Sequence, residues 1–596
     1  MKFFKTLIAA TLGMFLALLI GFFILLIVVS SSAEKPEPYV RDNSVLKITL
    51  SGPIAERNTA DPLNELFNQQ SNNKVSLQTL KENLAKAAVH DKIKGVLLQI
   101  DFVTASWANL QSARRMIDAF ADSSDKFIYA STNDIGYNEK GYFLATAADS
   151  VFSPPNTFFE FDGFYTEVMF LDGLFEKLGI DPEVARHGQY KGAVEPFYRK
   201  ELSESNEYQL KEILEDVNAA FLTAVSEKSG RSVEELNQML NSQPHLSSQF
   251  AFSENLVDSL LYKNELKTYI KNRMELEADD SFEIISNSRY AEVSAQTAGL
   301  ETPSASGEIA VIYASGPIMP QATSQTPFGG NDVITAEFFE EQLEEVREDD
   351  DTKAVVIRID SPGGAGSTSD LIWHMIRETS EEIPVIVSMG GVAASGGYYI
   401  AMAADTIVAE PTTLTGSIGV FATKFNARQL FNEELGLTFD GVKTHEHADW
   451  LTSTRGFLPA EAKAFQQFVD RFYQTFISKV AKSRDMSVER ADELAQGRVW
   501  TGADALENGL VDALGGLDKA LQIAAQKAGI DHYSIQRFPE PKSFYEVLLG
   551  SAGAQAKAFF NDGLFANPVI EEVQSRLSIL KRNGALTLFP YEIEIH

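Results

Sequence analysis

Short runs of β-branched and aliphatic residues alternate along most of the chain with stretches whose apolar positions recur every three or four residues. That alternation predicts α/β units built on parallel strands. In the second half Val355–Ile359 has the character of a buried strand, Ser367–Thr379 of a helix, Pro384–Ser388 of the next strand and Ser395–Ala404 of the next helix. The beginning of the chain breaks the pattern. Leu7 to Val29 is an uncharged apolar run of 23 residues, about 35 Å as a helix and enough to cross a hydrocarbon core of ~30 Å. A cleavable signal has a shorter apolar core, so a retained anchor is expected over residues 7–29, although Ser30-Ser31-Ser32-Ala33 would permit cleavage. Lys2 and Lys5 precede the run, which predicts a short cytoplasmic tail with everything after Val29 outside.

The pattern also repeats. Ser51-Gly52-Pro53-Ile54 is answered by Ser315-Gly316-Pro317-Ile318, each after an apolar strand (Val45–Leu50 and Ile309–Ala314). Gly95–Asp101 is answered by Ala354–Asp360, Tyr142–Asp149 by Tyr398–Asp405, Phe221–Glu234 by Phe476–Glu489, and Leu256-Val257-Asp258 by Leu510-Val511-Asp512. The offsets run 264, 264, 259, 256, 255 and 254, a slow drift of the kind short insertions leave. A tandem duplication follows. The expected organisation is a tail and anchor over 1–33, a first repeat over 44–286, a Ser/Thr/Ala-rich linker over 287–307, a second repeat over 308–542, and an extension over 543–596 with no assigned role. That extension ends in the strand-like Glu592-Ile593-Glu594-Ile595.

Composition narrows the functions. A balance of 51 basic against 83 acidic residues, net −32, repels phosphate backbones and makes nucleic acid an unfavourable partner. The chain has no cysteine, which excludes disulfides, thiolate metal sites and cysteine nucleophiles. Neither a GxxxxGK[ST] loop nor an HExxH helix is present. His445 and His447 form the closest histidine pair, and a lone i, i+2 pair fits a solvent-facing loop better than a metal site. No cofactor or metal is expected.

Two glycine-rich segments fall at the carboxyl ends of predicted strands, the edge where open parallel sheets assemble their sites. They are Asp360-Ser361-Pro362-Gly363-Gly364-Ala365-Gly366 and Gly390-Gly391-Val392-Ala393-Ala394-Ser395-Gly396-Gly397-Tyr398. Such turns either let backbone N–H groups approach a ligand, as an oxyanion hole requires, or merely permit close packing. The second would hold Ser395 at a helix start with the Gly396 N–H beside it. At offset 256, Ser395 faces Glu139 and Gly396 faces Lys140, and the first-half counterpart of the 360–364 turn, Asp101–Ala105, has no glycine. A packing role would be needed in both copies, so its loss from one favours a site around Ser395. A serine nucleophile needs a base, and no histidine stands out for it.

Ser361-Pro362-Gly363-Gly364, Ala394-Ser395-Gly396-Gly397-Tyr398-Tyr399 and Thr415-Gly416-Ser417-Ile418-Gly419-Val420 resemble the signal peptide peptidase A (protease IV) family in its long, tandem-duplicated bacterial form. The resemblance runs from the anchor to about residue 540. It implies a tandem duplication of a ClpP/crotonase-like domain behind one N-terminal transmembrane helix, and a Ser-Lys serine endopeptidase that degrades cleaved signal peptides, and other unfolded peptides, on the periplasmic side of the bacterial inner membrane. The resemblance further implies Ser395 as nucleophile and Lys191, within Arg186–Phe197, as general base. It implies that Ser417 orients the lysine, that Gly363, Gly364 and Gly396 supply the oxyanion hole, and that four chains form a homotetrameric bowl opening toward the membrane. An amine of ordinary pKa near 10.4 would work as a base only if burial lowers it. Lys443, near the second-half counterpart of Lys191, is the rival base. Two other classes remain open at this stage: a crotonase-like acyl-CoA enzyme, and a non-catalytic membrane scaffold.

Overall fold

The computed structural model describes residues 37–57, 75–321 (apart from 134, 243, 245, 278, 279 and 302), 333–540 and 586–588, with 11, 13–15 and 21 near the N-terminus. The expected anchor over 7–29 therefore lies almost wholly outside the described residues. Among those described, no helix is long and apolar enough to cross a membrane.

Each half builds one open, mostly parallel sheet with helices on its faces. In the first half the strand order is Ser259–Leu260, Ser150–Ser153, Phe127–Ser131, Ile93–Val103, Ser44–Gly52, Glu283–Ser286. The second half repeats it with Ala513–Leu514, Thr406–Ala409, Val385–Ala394, Thr352–Ser361, Glu308–Ser315 and Ser534–Phe538, and adds Leu414–Gly416 and Val499–Thr501 beside the end of Val385–Ala394. Central strands covered on both faces should be apolar throughout rather than alternating. Ala354 to Ile359 are accordingly all buried.

The duplication extends to individual hydrogen bonds. The Ile128 N–H donates to Asp149 Oδ2 at 2.8 Å, and the Val385 N–H to Asp405 Oδ2 at 2.9 Å. Tyr142 Oη donates to the Leu256 carbonyl at 2.5 Å, and Tyr398 Oη to that of Leu510 at 2.9 Å. The Val151 N–H meets Asp258 Oδ2 and the Ile407 N–H meets Asp512 Oδ2, both at 2.7 Å. The aspartate bonds pair strand N–H groups, and the tyrosine bonds tie a helix to a buried turn carbonyl that would otherwise be unpaired.

Three features tie the halves together. Asp181–His187 of the first half pairs antiparallel with Val420–Asn426 of the second, in register from Asp181 with Asn426 to His187 with Val420. The fully buried Arg358 reaches across to Glu56 at 2.7 Å while donating to Ser388 Oγ at 2.8 Å and the Met389 carbonyl at 2.5 Å. The buried Glu410 carboxylate of the second half accepts from Arg115 and Ser112 of the first. Buried charges of this kind are tolerable only when paired.

Residues 287–298, expected as linker, are instead folded onto the first half. Two short helices, Asn287–Ala291 and Ala295–Ala298, are capped by Ser286 and Ser294. Tyr290 is fully buried, and Asn83 Nδ2 donates to the Asn287 carbonyl at 2.9 Å. These turns carry too few apolar residues to show a helical period, which is why the sequence reads as unpatterned there. The strand-like Glu592–Ile595 lies outside the described residues. The extension does contribute Leu586–Leu588, whose backbone pairs antiparallel with Gly363–Ala365 and, at Leu586, with Phe421.

Candidate active site

Ser395 sits between the strand Val385–Ala394 and the helix Gly396–Ala401, with φ +56° and ψ −111°. A positive φ on a non-glycine residue costs of order 1–3 kcal/mol and persists only where the surroundings enforce it. Here they do. The Ser395 N–H donates to the Gly416 carbonyl and its own carbonyl accepts from the Tyr399 N–H, both at 2.8 Å. Gly397 is required by close approach, since a Cβ there would stand 2.7 Å from the Ser361 carbonyl oxygen. The result is a sharp strand-to-helix elbow with a serine at its tip.

Lys191 arrives from the other half. It follows the Asp181–His187 strand, and its side chain is fully buried. Its Nζ lies 2.7 Å from Ser395 Oγ, 2.9 Å from the Ser417 carbonyl oxygen and 3.0 Å from Ser417 Oγ. Burial pushes the amine well below its ordinary value. The partners fit a neutral amine, which has two N–H donors and one lone pair. The two donors match the Ser417 carbonyl and hydroxyl oxygens, and the lone pair is left for the Ser395 O–H. Ser417 is also held with positive φ (+49°), its N–H donating to the Arg498 carbonyl at 2.6 Å.

The glycine turn after Thr352–Ser361 lies alongside. Gly364 packs so tightly on the Ser315–Ile318 segment that a Cβ would fall 1.9 Å from the Ile318 carbonyl oxygen. The Gly363 N–H donates to Ser361 Oγ at 3.2 Å, so this one of the three expected oxyanion glycines has its donor engaged within the turn. Gly396 is the first residue of the helix behind Ser395.

Lys443 is elsewhere: it is exposed, donating to the Glu446 carbonyl at 2.8 Å and paired with Asp449 at 3.1 Å. His445 is exposed beside Thr444, and His447 pairs with the buried Glu461 at 2.8 Å. Among the described residues no group of three or more histidine and acidic side chains is placed to hold a metal ion.

At the first-half position matching Ser395, Glu139 is buried and accepts from the N–H groups of Asp162 and Gly163 at 3.1 and 2.8 Å. Burial pushes its carboxyl up to about 8, outweighing the two backbone N–H donors that favour the charged form. At this position the first half has an internal clasp. Sequence comparison of the halves exposed the substitution but carried no signal of these partners.

A serine at a strained elbow, in hydrogen-bond contact with a buried amine and beside a glycine turn, on an α/β sheet, is an arrangement that can carry the chemistry of a nucleophilic-serine hydrolase. The comparisons make the class specific. Residues 121–277 and 377–531 match Peptidase family S49, and residues 329–413 match the Clp protease family. The chain is 39% identical over 497 residues to "Serine protease SPPA, chloroplastic" of Arabidopsis thaliana, covering 83% of this chain and 71% of that protein. It is 30% identical to "Protease 4" of Salmonella typhi, covering 81% and 77%. With "Protease 4" of Haemophilus influenzae it shares 28% identity over 595 residues, 94% and 93% of the two chains. The chain belongs to peptidase family S49, with one copy of the domain in each half.

Proposed function

We propose that this chain is a serine endopeptidase whose single active site joins Lys191 of the first half to Ser395 of the second. The observation that carries the reading is the 2.7 Å contact between Lys191 Nζ and Ser395 Oγ, with both side chains fully buried. Neutral Lys191 accepts the Ser395 proton as Oγ attacks the substrate carbonyl carbon. The protonated amine then returns that proton to the leaving nitrogen as the peptide bond breaks, leaving an ester on Ser395. Lys191, neutral again, takes a proton from water, whose oxygen attacks the ester. Collapse frees the acid and restores the serine O–H. Ser417 fixes the amine through its carbonyl and hydroxyl oxygens. The developing oxyanion is assigned to the glycine turn at Gly363 and Gly364 together with the backbone N–H of Gly396.

The substrate class proposed is extended peptide, cleaved signal peptides among them. Support comes from Leu586–Leu588, a backbone segment that lies between Gly363–Ala365 and Phe421. Sheet edges that accept one strand accept another, with main-chain hydrogen bonds for affinity and alternate side chains for selectivity. The apolar run over 7–29 is proposed to anchor the chain in the bacterial inner membrane with its body on the periplasmic side, and the assembly to be a homotetramer.

The test is hydrolysis of peptide esters by the body lacking residues 1–33. Ser395→Ala and Lys191→Ala should each lose at least about 10³-fold in kcat/KM, and Lys443→Ala should match the wild type. Activity retained in Lys191→Ala and lost in Lys443→Ala would overturn the base assignment.

A further inference from the structure

Lys191 is buried by more than the loops that carry it and Ser417. A third segment, the turn Ala495-Gln496-Gly497-Arg498 between the helix Val488–Leu494 and the strand Val499–Thr501, is threaded between them. On one side it takes the lysine loop: the Tyr190 N–H donates to the Gln496 carbonyl at 2.8 Å. On the other it takes the serine loop. The Gly497 N–H donates to the Ile418 carbonyl at 2.8 Å, and the Arg498 carbonyl accepts from the Ser417 N–H at 2.6 Å.

The contact with Lys191 itself is backbone against side chain. A Cβ built on Gly497 would lie 2.6 Å from Lys191 N, 2.7 Å from its Cβ and 2.8 Å from its Cα. A Cβ on Gly419 would lie 2.8 Å from Gly497 Cα and 3.1 Å from Lys191 Cδ. The lysine stem thus lies against bare backbone at Gly497 near its root and at Gly419 further out, leaving no room for a methyl group at the first.

The turn is itself rigid. Gln496 has φ +55°, with Nε2 donating to Asp492 Oδ1 at 2.8 Å and Tyr473 Oη at 3.1 Å. The Arg498 guanidinium stacks 3.8 Å over the Trp500 ring. Gln209 of the first half ties the far side, donating to the Tyr190 carbonyl at 3.1 Å and accepting from the Val499 N–H at 3.0 Å.

We propose that the 495–498 turn is a positioning element for the base, with Gly497 as the wall that keeps the Lys191 stem seated and dry. The inference rests on Lys191 being the base. Neither Gly497 nor Gln496 is placed on the reacting atoms, so both act through the lysine. A methyl group at Gly497 would push the stem toward solvent. A better-solvated amine holds its proton more tightly, so the base is neutral only at higher pH.

The experiment is the pH profile of kcat/KM for Gly497→Ala, Gly419→Ala, Gly529→Ala and Lys191→Ala. Gly529 has φ +69° and no atom within 4 Å of a built Cβ, so its variant carries backbone strain alone. Gly497→Ala should fall about tenfold or more at neutral pH and recover at alkaline pH, its acidic limb moved up by about one unit. Gly529→Ala should keep the wild-type limb. A Gly497→Ala profile lowered uniformly with its limb unmoved, or a limb that moves equally in Gly529→Ala, overturns the proposal. If Gly497→Ala does not melt cooperatively, Gly419→Ala decides: an upward limb supports the proposal, and wild-type rate and limb overturn it. Lys191→Ala reads the base separately. If it stays active the base assignment fails, whereas an inactive Lys191→Ala with unmoved glycine-variant limbs sinks only the positioning role.

Discussion

His187 and Val420 are the last register pair of the ladder that joins the two halves. Four residues beyond His187 the first half delivers Lys191, and three residues before Val420 the second half delivers Ser417. One antiparallel pair of strands therefore sets where the amine meets its acceptors.

Separating the halves should abolish activity. A chain beginning at residue 308 retains Ser395 and Ser417 but lacks Lys191, so even when folded it should hydrolyse no peptide ester. Co-production with the first half, cut between residues 299 and 307, should restore turnover by re-forming the Asp181–His187 and Val420–Asn426 pairing. Wild-type rates from the second half alone would rule out a shared site.

The buried amine should cost stability. Burial holds the Lys191 amine well below its ordinary value, so the folded chain binds that proton less tightly than the unfolded chain does. The unfolded state then binds the extra proton, so stability rises with pH from the folded value up to about 10.4. Lys191→Met removes that cost and should melt higher than the wild type at neutral pH, by about 2 °C or more. The gap should narrow toward pH ~10. A variant less stable at neutral pH, or a gap that does not change with pH, would count against a neutral lysine.

Glu139 gives the opposite titration with the same kind of cost. Its carboxyl is pushed up to about 8 in the folded chain, against about 4.3 unfolded. The folded state binds the extra proton, so the wild type loses stability as pH rises across that window. Glu139→Gln keeps an oxygen for the Asp162 and Gly163 N–H groups and has no charge to bury. It should gain stability over the wild type between about pH 5 and 8, read as diverging melting temperatures. Parallel melting curves across that range would show that the carboxyl is not buried as described.

Much of this architecture was legible in the sequence because it follows from local composition. Apolar strand runs such as Ala354–Asp360 and Gly95–Asp101 must be buried on both faces, and their recurrence at a steady offset reports the duplication. The elbow at Ser395 was legible for a similar reason: only glycine-rich sequence permits it, and Glu139 stands in the twin position. Lys191 was not legible from its own neighbourhood. Its place beside Ser395 depends on a ladder and on packing by residues 419 and 497, more than two hundred positions away, and only the family resemblance pointed to it. The Arg358–Glu56 and Glu410–Arg115 pairs were hidden likewise, since a charged residue inside a strand run shows no partner along the chain. Residues 287–298 misled because serine-capped turns of four or five residues have no period to read.

Removing residues 541–596 should expose the edges of Gly363–Ala365 and Val420–Asn426 that Leu586–Leu588 now pairs with. If extended peptides use those edges, the shortened body should show a lower KM for peptide substrates with kcat little changed. An unchanged or higher KM would place the peptide elsewhere.

The central claim is that a neutral, buried Lys191 activates Ser395, and the pH dependence of kcat/KM for the wild-type body tests it most directly. The base must be neutral to work, so activity should be present above the folded-state pKa of Lys191 and lost as pH falls through it. The acidic limb should lie well under the ~10.4 of a solvated lysine. Lys191→Ala should show no such limb, its residual rate at least about 10³-fold down throughout. A wild-type limb near 10.4, or a Lys191→Ala profile that keeps the wild-type limb and rate, would contradict the account.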